Sequence, residues 1–167
     1  MKQPTIKHYA DYFAMGLQLG ICSHTELITW ADKLIEKIDR PSDWTIDLST
    51  DSQKHELDVV RILNSVPGVP DLEVSFRLLI AKLALVKPVL YSDNGFIEAY
   101  DSRLFSNLYF MARKQEDRLP DCIKRNIFLI DTDMDCVDTG YCDFSVIQQD
   151  YQNLLAIGKE YQNLFGA

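Results

Sequence analysis

The chain is expected to fold as an all-α protein, a compact bundle of six or seven helices with little or no β-strand, in a single domain over residues 1–167. Three observations predict this class. Apolar residues recur at i, i+3, i+4 through most of the chain, which is the helical period. The runs are separated by turn and stop chemistry at Gly20, Pro41, "VPGVP" (66–70), Pro88 and Pro120. Strand-like alternation is confined to one short stretch around Trp44. A length of 167 residues is enough to bury one sizeable core.

Each element follows from local pattern. After Pro4, the residues Ile6, Tyr9, Ala10, Phe13 and Leu17 mark a first helix that Gly20 ends. "SHTE" at 23–26 is a capping box, in which Ser23 accepts from a backbone N–H three residues on and Glu26 reaches back. Leu27, Trp30, Ala31, Leu34, Ile35 and Ile38 then form an apolar stripe that Pro41 stops. "SDWTIDLST" alternates Trp44, Ile46 and Leu48, and reads as a brief extended segment or an anchored linker. A third helix is expected from about Asp51, with Leu57, Val60, Leu63 and Val66 inward. Asp71 opens a fourth, with Phe76, Leu79, Ile80 and Leu83. It is apolar on more than one face and so belongs at the centre. "YSDNG" (91–95) reads as a turn. A long helix follows with Phe96, Tyr100, Leu104, Leu108 and Met111, ending near Arg113–Lys114, where positive charge suits the negative helix end. Pro120 begins the short segment "DCIKRNIFLI", an acidic loop is expected after it, and Asp143 caps a last helix with Phe144, Ile147, Tyr151, Leu154, Leu155 and Tyr161.

Net charge is −8 and unevenly spread. Residues 1–90 carry 10 basic and 12 acidic side chains, residues 91–167 carry 7 and 13, and no Lys or Arg occurs from Asn126 to Gly158. Such a surface repels nucleic acid and attracts a basic protein. "MKQPTIKHYADYF" turns polar too soon for a secretory signal, and the most apolar run, "LLIAKLALVKPVLY", is cut by Lys82, Lys87 and Pro88, so no membrane span is expected. A cytoplasmic protein is the expectation. Its four cysteines, at 22, 122, 136 and 142, are then expected to be mostly buried or inert thiols.

The sharpest chemical question is "FLIDTDMDCVDTGYCDF" (128–144), with five aspartates and no positive charge. It begins D-x-D-x-D, as an EF-hand loop does, but position 6 is Cys136 where Gly is needed and position 12 is Cys142 where a bidentate Glu is needed. "NIFLIDTDMD" is similar to the first motif of haloacid dehalogenase-type phosphatases. That resemblance would make a phosphatase-like enzyme, but the chain lacks the βα alternation on which the motif sits. Glycosyltransferase-type D-x-D metal binding fails on the same ground. Cys122, Cys136 and Cys142 show no C-x₂₋₄-C pair, and His8, His24 and His55 are scattered, so no zinc site is read. No nucleophile elbow appears. The expectation is therefore no enzyme, no catalytic residue, no metal and no cofactor.

Two readings remain for the aspartates. Asp is a good turn and cap residue, so they could be a solvated loop. Alternatively, Asp131, Asp133, Asp135, Asp138 and Asp143, whose mutual repulsion a cationic partner would relieve, are a docking surface for a basic protein. A second acidic row, Asp39, Asp43, Asp47 and Asp51, recurs every four residues, and Asp43, Asp47 and Asp51 are the next contact candidates.

The stretch "ITWADKLIEKIDRPSDWTIDLSTDSQKHELDVVRILNSVPG" (28–68) resembles small all-helical immunity proteins of bacterial contact-dependent growth inhibition and related polymorphic toxin systems. The resemblance implies a cytoplasmic protein that binds and neutralises a cognate toxin, often a basic nuclease, with the acidic residues standing in for phosphate. A helical adaptor without a toxin partner is the alternative.

Overall fold

The computed structural model describes residues 2–50, 55–90, 92–93 and 96–165. Among these residues the chain forms eight α-helices, a 3₁₀ segment and one two-stranded ribbon, so the fold is all-α. No helix among them is long and apolar enough to cross a membrane. Backbone contacts group the chain into two compact units, Lys2–Asp71 and Leu72–Ala167.

The first unit holds α1 (Ile6–Gln18), α2 (His24–Ile35), α3 (Asp43–Thr50) and α4 (Glu56–Ser65). Helix α1 packs on α4, α2 on α3, and α3 on α4. Ala10, Phe13, Leu17, Leu27, Ala31, Leu48, Val59 and Leu63 are buried between them. Phe13 and Trp30 lie 5.2 Å apart, and Trp30 continues to Trp44 at 6.2 Å, so aromatic contacts run from α1 through α2 to α3. The capping box forms as read: Glu26 N–H donates to Ser23 Oγ at 3.2 Å, and Ser23 N–H donates to Glu26 Oε2 at 2.9 Å. Lys7 is buried because it is paired with Asp11 at 2.9 Å and donates to the Asn64 carbonyl at 3.2 Å, tying α1 to α4. Between α1 and α2, Gly20 adopts φ 68°, and the N–H groups of Ile21 and Cys22 both return to the Gly16 carbonyl, at 2.8 and 3.0 Å. This is a left-handed helix stop of the kind glycine permits.

The second unit holds α5 (Leu72–Val86), a ribbon of β1 (Ser92–Asp93) and β2 (Phe96–Ile97), α6 (Ala99–Arg113), α7 (Asp121–Asp138), α8 (Phe144–Gly158) and the 3₁₀ segment Lys159–Leu164. Helix α5 packs against α8 and the 3₁₀ segment, α8 against α7, and α7 against α6. As its pattern predicts, α5 is buried on several faces, through Val74, Phe76, Leu78, Leu79, Ile80 and Leu83. The α5–α8 approach is very close at Gly158, where a Cβ would lie 2.4 Å from the Ala81 backbone nitrogen. Tyr151 on α8 stacks edge-on against Phe105 at 5.4 Å and donates its hydroxyl to the Lys87 carbonyl. Gln148 and Gln152 donate to the carbonyls of Leu90 and Pro88, at 2.6 and 3.1 Å. The chain leaving α5 is thereby held onto α8. Asp101, fully buried, is ion-paired with Lys87.

Several expectations are corrected. The helices among the described residues number eight, not six or seven. "SDWTIDLST" is not extended but forms α3: Thr45 and Leu48, three residues apart, are both buried, and the Ser42 carbonyl accepts from Thr45 and Ile46. The acidic loop is not a loop. Residues 131–138 are the second half of α7, because Ile123, Ile127, Ile130, Met134 and Val137 make one continuous buried stripe. Burial of that stripe outweighs the modest helix penalty of aspartate. Helix α2 ends at Ile35 rather than reaching Ile38, and Leu57 on α4 is exposed while Val59 is buried. Phe96 belongs to β2 rather than to the long helix. In "YSDNG", Ser92–Asp93 pairs with Phe96–Ile97, and Tyr91, Asn94 and Gly95 lie outside the described residues. Cys136 and Cys142 are joined in a disulfide, while Cys22 and Cys122 are free.

Candidate interaction surface

The five aspartates sit on α7 and the corner that follows it, and the helix sorts them. At 100° per residue, Asp131, Asp135 and Asp138 (i, i+4, i+7) fall on one flank of α7, beside its buried stripe. Asp133, two residues on from Asp131, turns to the other flank, where its carboxyl meets that of Asp150 on α8. Asp143 lies across the corner at the N-cap position of α8 with extended backbone, and its side chain makes no capping hydrogen bond. Asp131 and Asp133 are half-buried, while Asp135, Asp138 and Asp143 are exposed. The structure therefore brings three of the five together and separates the other two.

Burial, and then the neighbouring Asp135 charge, raises the Asp131 carboxyl above the usual carboxylate range. Asp133 is pushed up to about 6, by burial first and then by a hydrogen bond and repulsion from Asp150. Two carboxyl groups can share a hydrogen bond only when one carries the proton.

The corner between α7 and α8 is built tightly. Gly140 adopts φ 77°, and the N–H groups of Tyr141 and Cys142 return to the Cys136 carbonyl at 2.9 and 3.2 Å. Thr139 Oγ1 donates to the Asp135 carbonyl at 2.7 Å, and the Cys136–Cys142 bond closes the turn. At its tip Tyr141 is 87% exposed. An exposed aromatic at the corner between Asp138 and Asp143 in the chain offers contact area at low entropic cost. Tyr141, the disulfide and Asp150 were all missed by the sequence reading. The available signal was C-x₅-C spanning a Thr-Gly step, a spacing that a helix stop closes.

The second acidic row stands in the first unit. Asp43 and Asp47 lie one turn apart on α3, both exposed, so they do share a helix face. Asp39 precedes α3, and Asp51 lies outside the described residues. Lys33, Lys37 and Arg40 lie close to this row in sequence, whereas no Lys or Arg occurs from 126 to 158. Among the described residues, no group of three or more His, Cys, Asp or Glu side chains could hold a metal ion. No protein-family model, curated protein or solved structure matches the chain.

Proposed function

We propose that this is an immunity-type protein that captures a basic protein through the α7–α8 surface, with the nucleic-acid-binding cleft of a nuclease toxin as the fitting partner. In this reading it acts in the cytoplasm, without catalysis or cofactor of its own. One observation carries the reading: Asp131, Asp135 and Asp138 share a helix flank in a stretch, 126–158, that contains no Lys or Arg. Three carboxylates at helical spacing resemble successive phosphates in charge, and repulsion among them is relieved when cations bind. Tyr141 supplies an aromatic contact at the edge of the same surface.

The test is a pull-down with the native protein, identification of a basic partner encoded beside it, and association kinetics with that partner. Replacing Asp131, Asp135 and Asp138 by Asn preserves shape and removes three charges. Association at low salt should slow by about ten-fold or more, and the wild-type rate should fall with added salt. Asp133→Asn, on the opposite flank, should leave the rate nearly unchanged. A triple variant that associates at the wild-type rate at low salt would rule out this surface, and the Asp43–Asp47 face of α3 would be tested next.

A further inference from the structure

We propose that Cys136 and Cys142 form a reversible dithiol/disulfide couple, a redox latch on the α7–α8 corner. The observation behind this is that the same backbone corner occurs twice in the chain and is covalently tied only once. In the α1–α2 corner, Gly20 at φ 68° precedes Ile21 and Cys22, whose N–H groups bond to the carbonyl of residue 16. In the α7–α8 corner, Gly140 at φ 77° precedes Tyr141 and Cys142, whose N–H groups bond to the carbonyl of residue 136. Cys22 and Cys142 occupy the same place. Residue 16 is glycine and residue 136 is cysteine, so only the second corner can form the bond. The hydrogen-bonded helix stop is thus complete without a disulfide, and the Cys136–Cys142 bond adds a covalent tie to a turn that does not depend on it.

Access separates the two corners as well. Cys22 is buried, and its thiol donates to the Tyr12 hydroxyl at 3.0 Å, which shields it from exchange. Cys136 and Cys142 are partly exposed, and Asp135, Asp138, Thr139, Gly140, Tyr141 and Asp143 around them are exposed. An external thiol can therefore reach the bond in the folded protein. Met134, Val137 and Ile147, on the two helices either side of the corner, are buried, and α7 packs along α8.

The exchange uses a dithiol reductant. Its thiolate attacks one protein sulfur, the S–S bond breaks, and the other cysteine leaves as a thiolate that takes up a proton. The reductant's second thiol then attacks the mixed disulfide and releases the first cysteine. The protein gains two electrons and two protons, and the reductant becomes a disulfide. Cys142 is the better leaving group, since it lies beside the positive N-terminal end of α8, whereas Cys136 lies in the negative last turn of α7. Oxidised, the latch holds the last turn of α7 and the positions of Asp138 and Tyr141. Reduced, that turn keeps its hydrogen bonds but opens more readily. An effect on partner capture rests on the reading of the acidic surface given above, whereas the couple itself does not.

The experiment uses the full chain with Cys122→Ser, which removes the exposed free thiol. The protein is equilibrated in dithiothreitol buffers of graded reduced-to-oxidised ratio, then labelled with a maleimide without denaturant and weighed by mass spectrometry. Expected are no labels at the oxidising end and two at the reducing end, with the same curve in both directions and unchanged far-UV circular dichroism. Hydrogen exchange of the amides from 139 to 146 should speed up by about ten-fold or more on reduction, with the α1–α2 corner unaffected. A Cys136→Ser, Cys142→Ser variant should fold and exchange as the reduced form does. The proposal is overturned if the bond does not form under oxidising buffer. It is equally overturned if labelling requires denaturant, or if the reduced form or the double variant loses helix, since the bond would then be a fixed structural tie.

Discussion

Gly158→Ala sets two effects of opposite sign against each other. By helix propensity alone, exchanging glycine for alanine in a helix stabilises by about 1 kcal/mol, and less at the last residue of α8. Packing says the reverse. A Cβ at 158 would lie 2.4 Å from the Ala81 nitrogen, 2.8 Å from the Ile80 carbonyl carbon and 2.9 Å from the Ala81 Cα. Carbon contacts are comfortable at about 3.5–4.0 Å, so α8 must move away from α5 by about 1 Å. The obstructing atoms are backbone in the middle of a buried helix, so no side chain can rotate away. Overpacking of this kind costs about 1–3 kcal/mol, and the rigid neighbour argues for the upper part of that range. The net expectation is a loss of about 1–2 kcal/mol, which for a chain of this size lowers Tm by about 2–8 °C. Thermal and denaturant melts of the variant measure it. Gly140→Asn is the control, since Gly140 has positive φ but no atom within 4 Å of a Cβ, and Asn tolerates that backbone, so its cost should stay below about 1 kcal/mol. A Gly158→Ala protein as stable as wild type, or more so, would refute the close α5–α8 approach.

Three further outcomes follow from the structure. The folded-state pKa of Asp133, raised to about 6 by burial first and then by Asp150, lies above its ordinary value, so its protonated form favours the fold at low pH and that contribution is lost as pH rises through 6. Asp133→Asn should therefore gain stability relative to wild type between pH 4.5 and pH 7.5, as read from urea midpoints, and parallel pH profiles would count against the Asp133–Asp150 contact. Trp30→Ala should cost about 2–3 kcal/mol rather than the 3–5 kcal/mol of a fully buried aromatic, because Trp30 is half-buried against Phe13, Tyr9 and Trp44. A denaturant melt that moves by less than about 1 kcal/mol would mean the aromatic contacts are absent. Asp101→Ala should be among the most damaging single changes, about 3–5 kcal/mol, since it removes a fully buried carboxylate and breaks its ion pair with the largely buried Lys87. A double variant that also carries Lys87→Met should recover much of that loss.

The candidate surface was only partly legible in the sequence. The charge pattern identified all five aspartates of 128–144 and the missing cations. It treated them as one cluster because, in a loop, neighbours in sequence are neighbours in space. Once the segment is a helix, spacing decides: positions 131, 135 and 138 align, and 133 faces α8. Position 143 was correctly read as a cap position, but its side chain makes no capping bond. The Cys136–Cys142 bond and the Tyr141 tip were not seen because cysteine count alone does not specify pairing.

What the sequence by itself determined is what acts over one helical turn. Periodicity produced the helical class, "SHTE" produced the start of α2, and Gly20 the stop of α1. The all-round apolar pattern of 72–86 made α5 central. What only tertiary structure decided is the fate of segments whose local preferences are weak or opposed. Residues 43–50 and 131–138 are rich in aspartate, threonine and serine, which favour turns when isolated. Both are helical because Thr45 and Leu48, and Ile130, Met134 and Val137, are buried in segments that pack on other elements of the fold, α3 on α2 and α4, and α7 on α6 and α8. Burial contributes about 25 cal/mol per Å² of apolar surface, which over a few such side chains exceeds the few tenths of a kcal/mol per residue that separate helix from turn. Which partners supply that burial is set by how the chain returns on itself, and no window of four or five residues contains it.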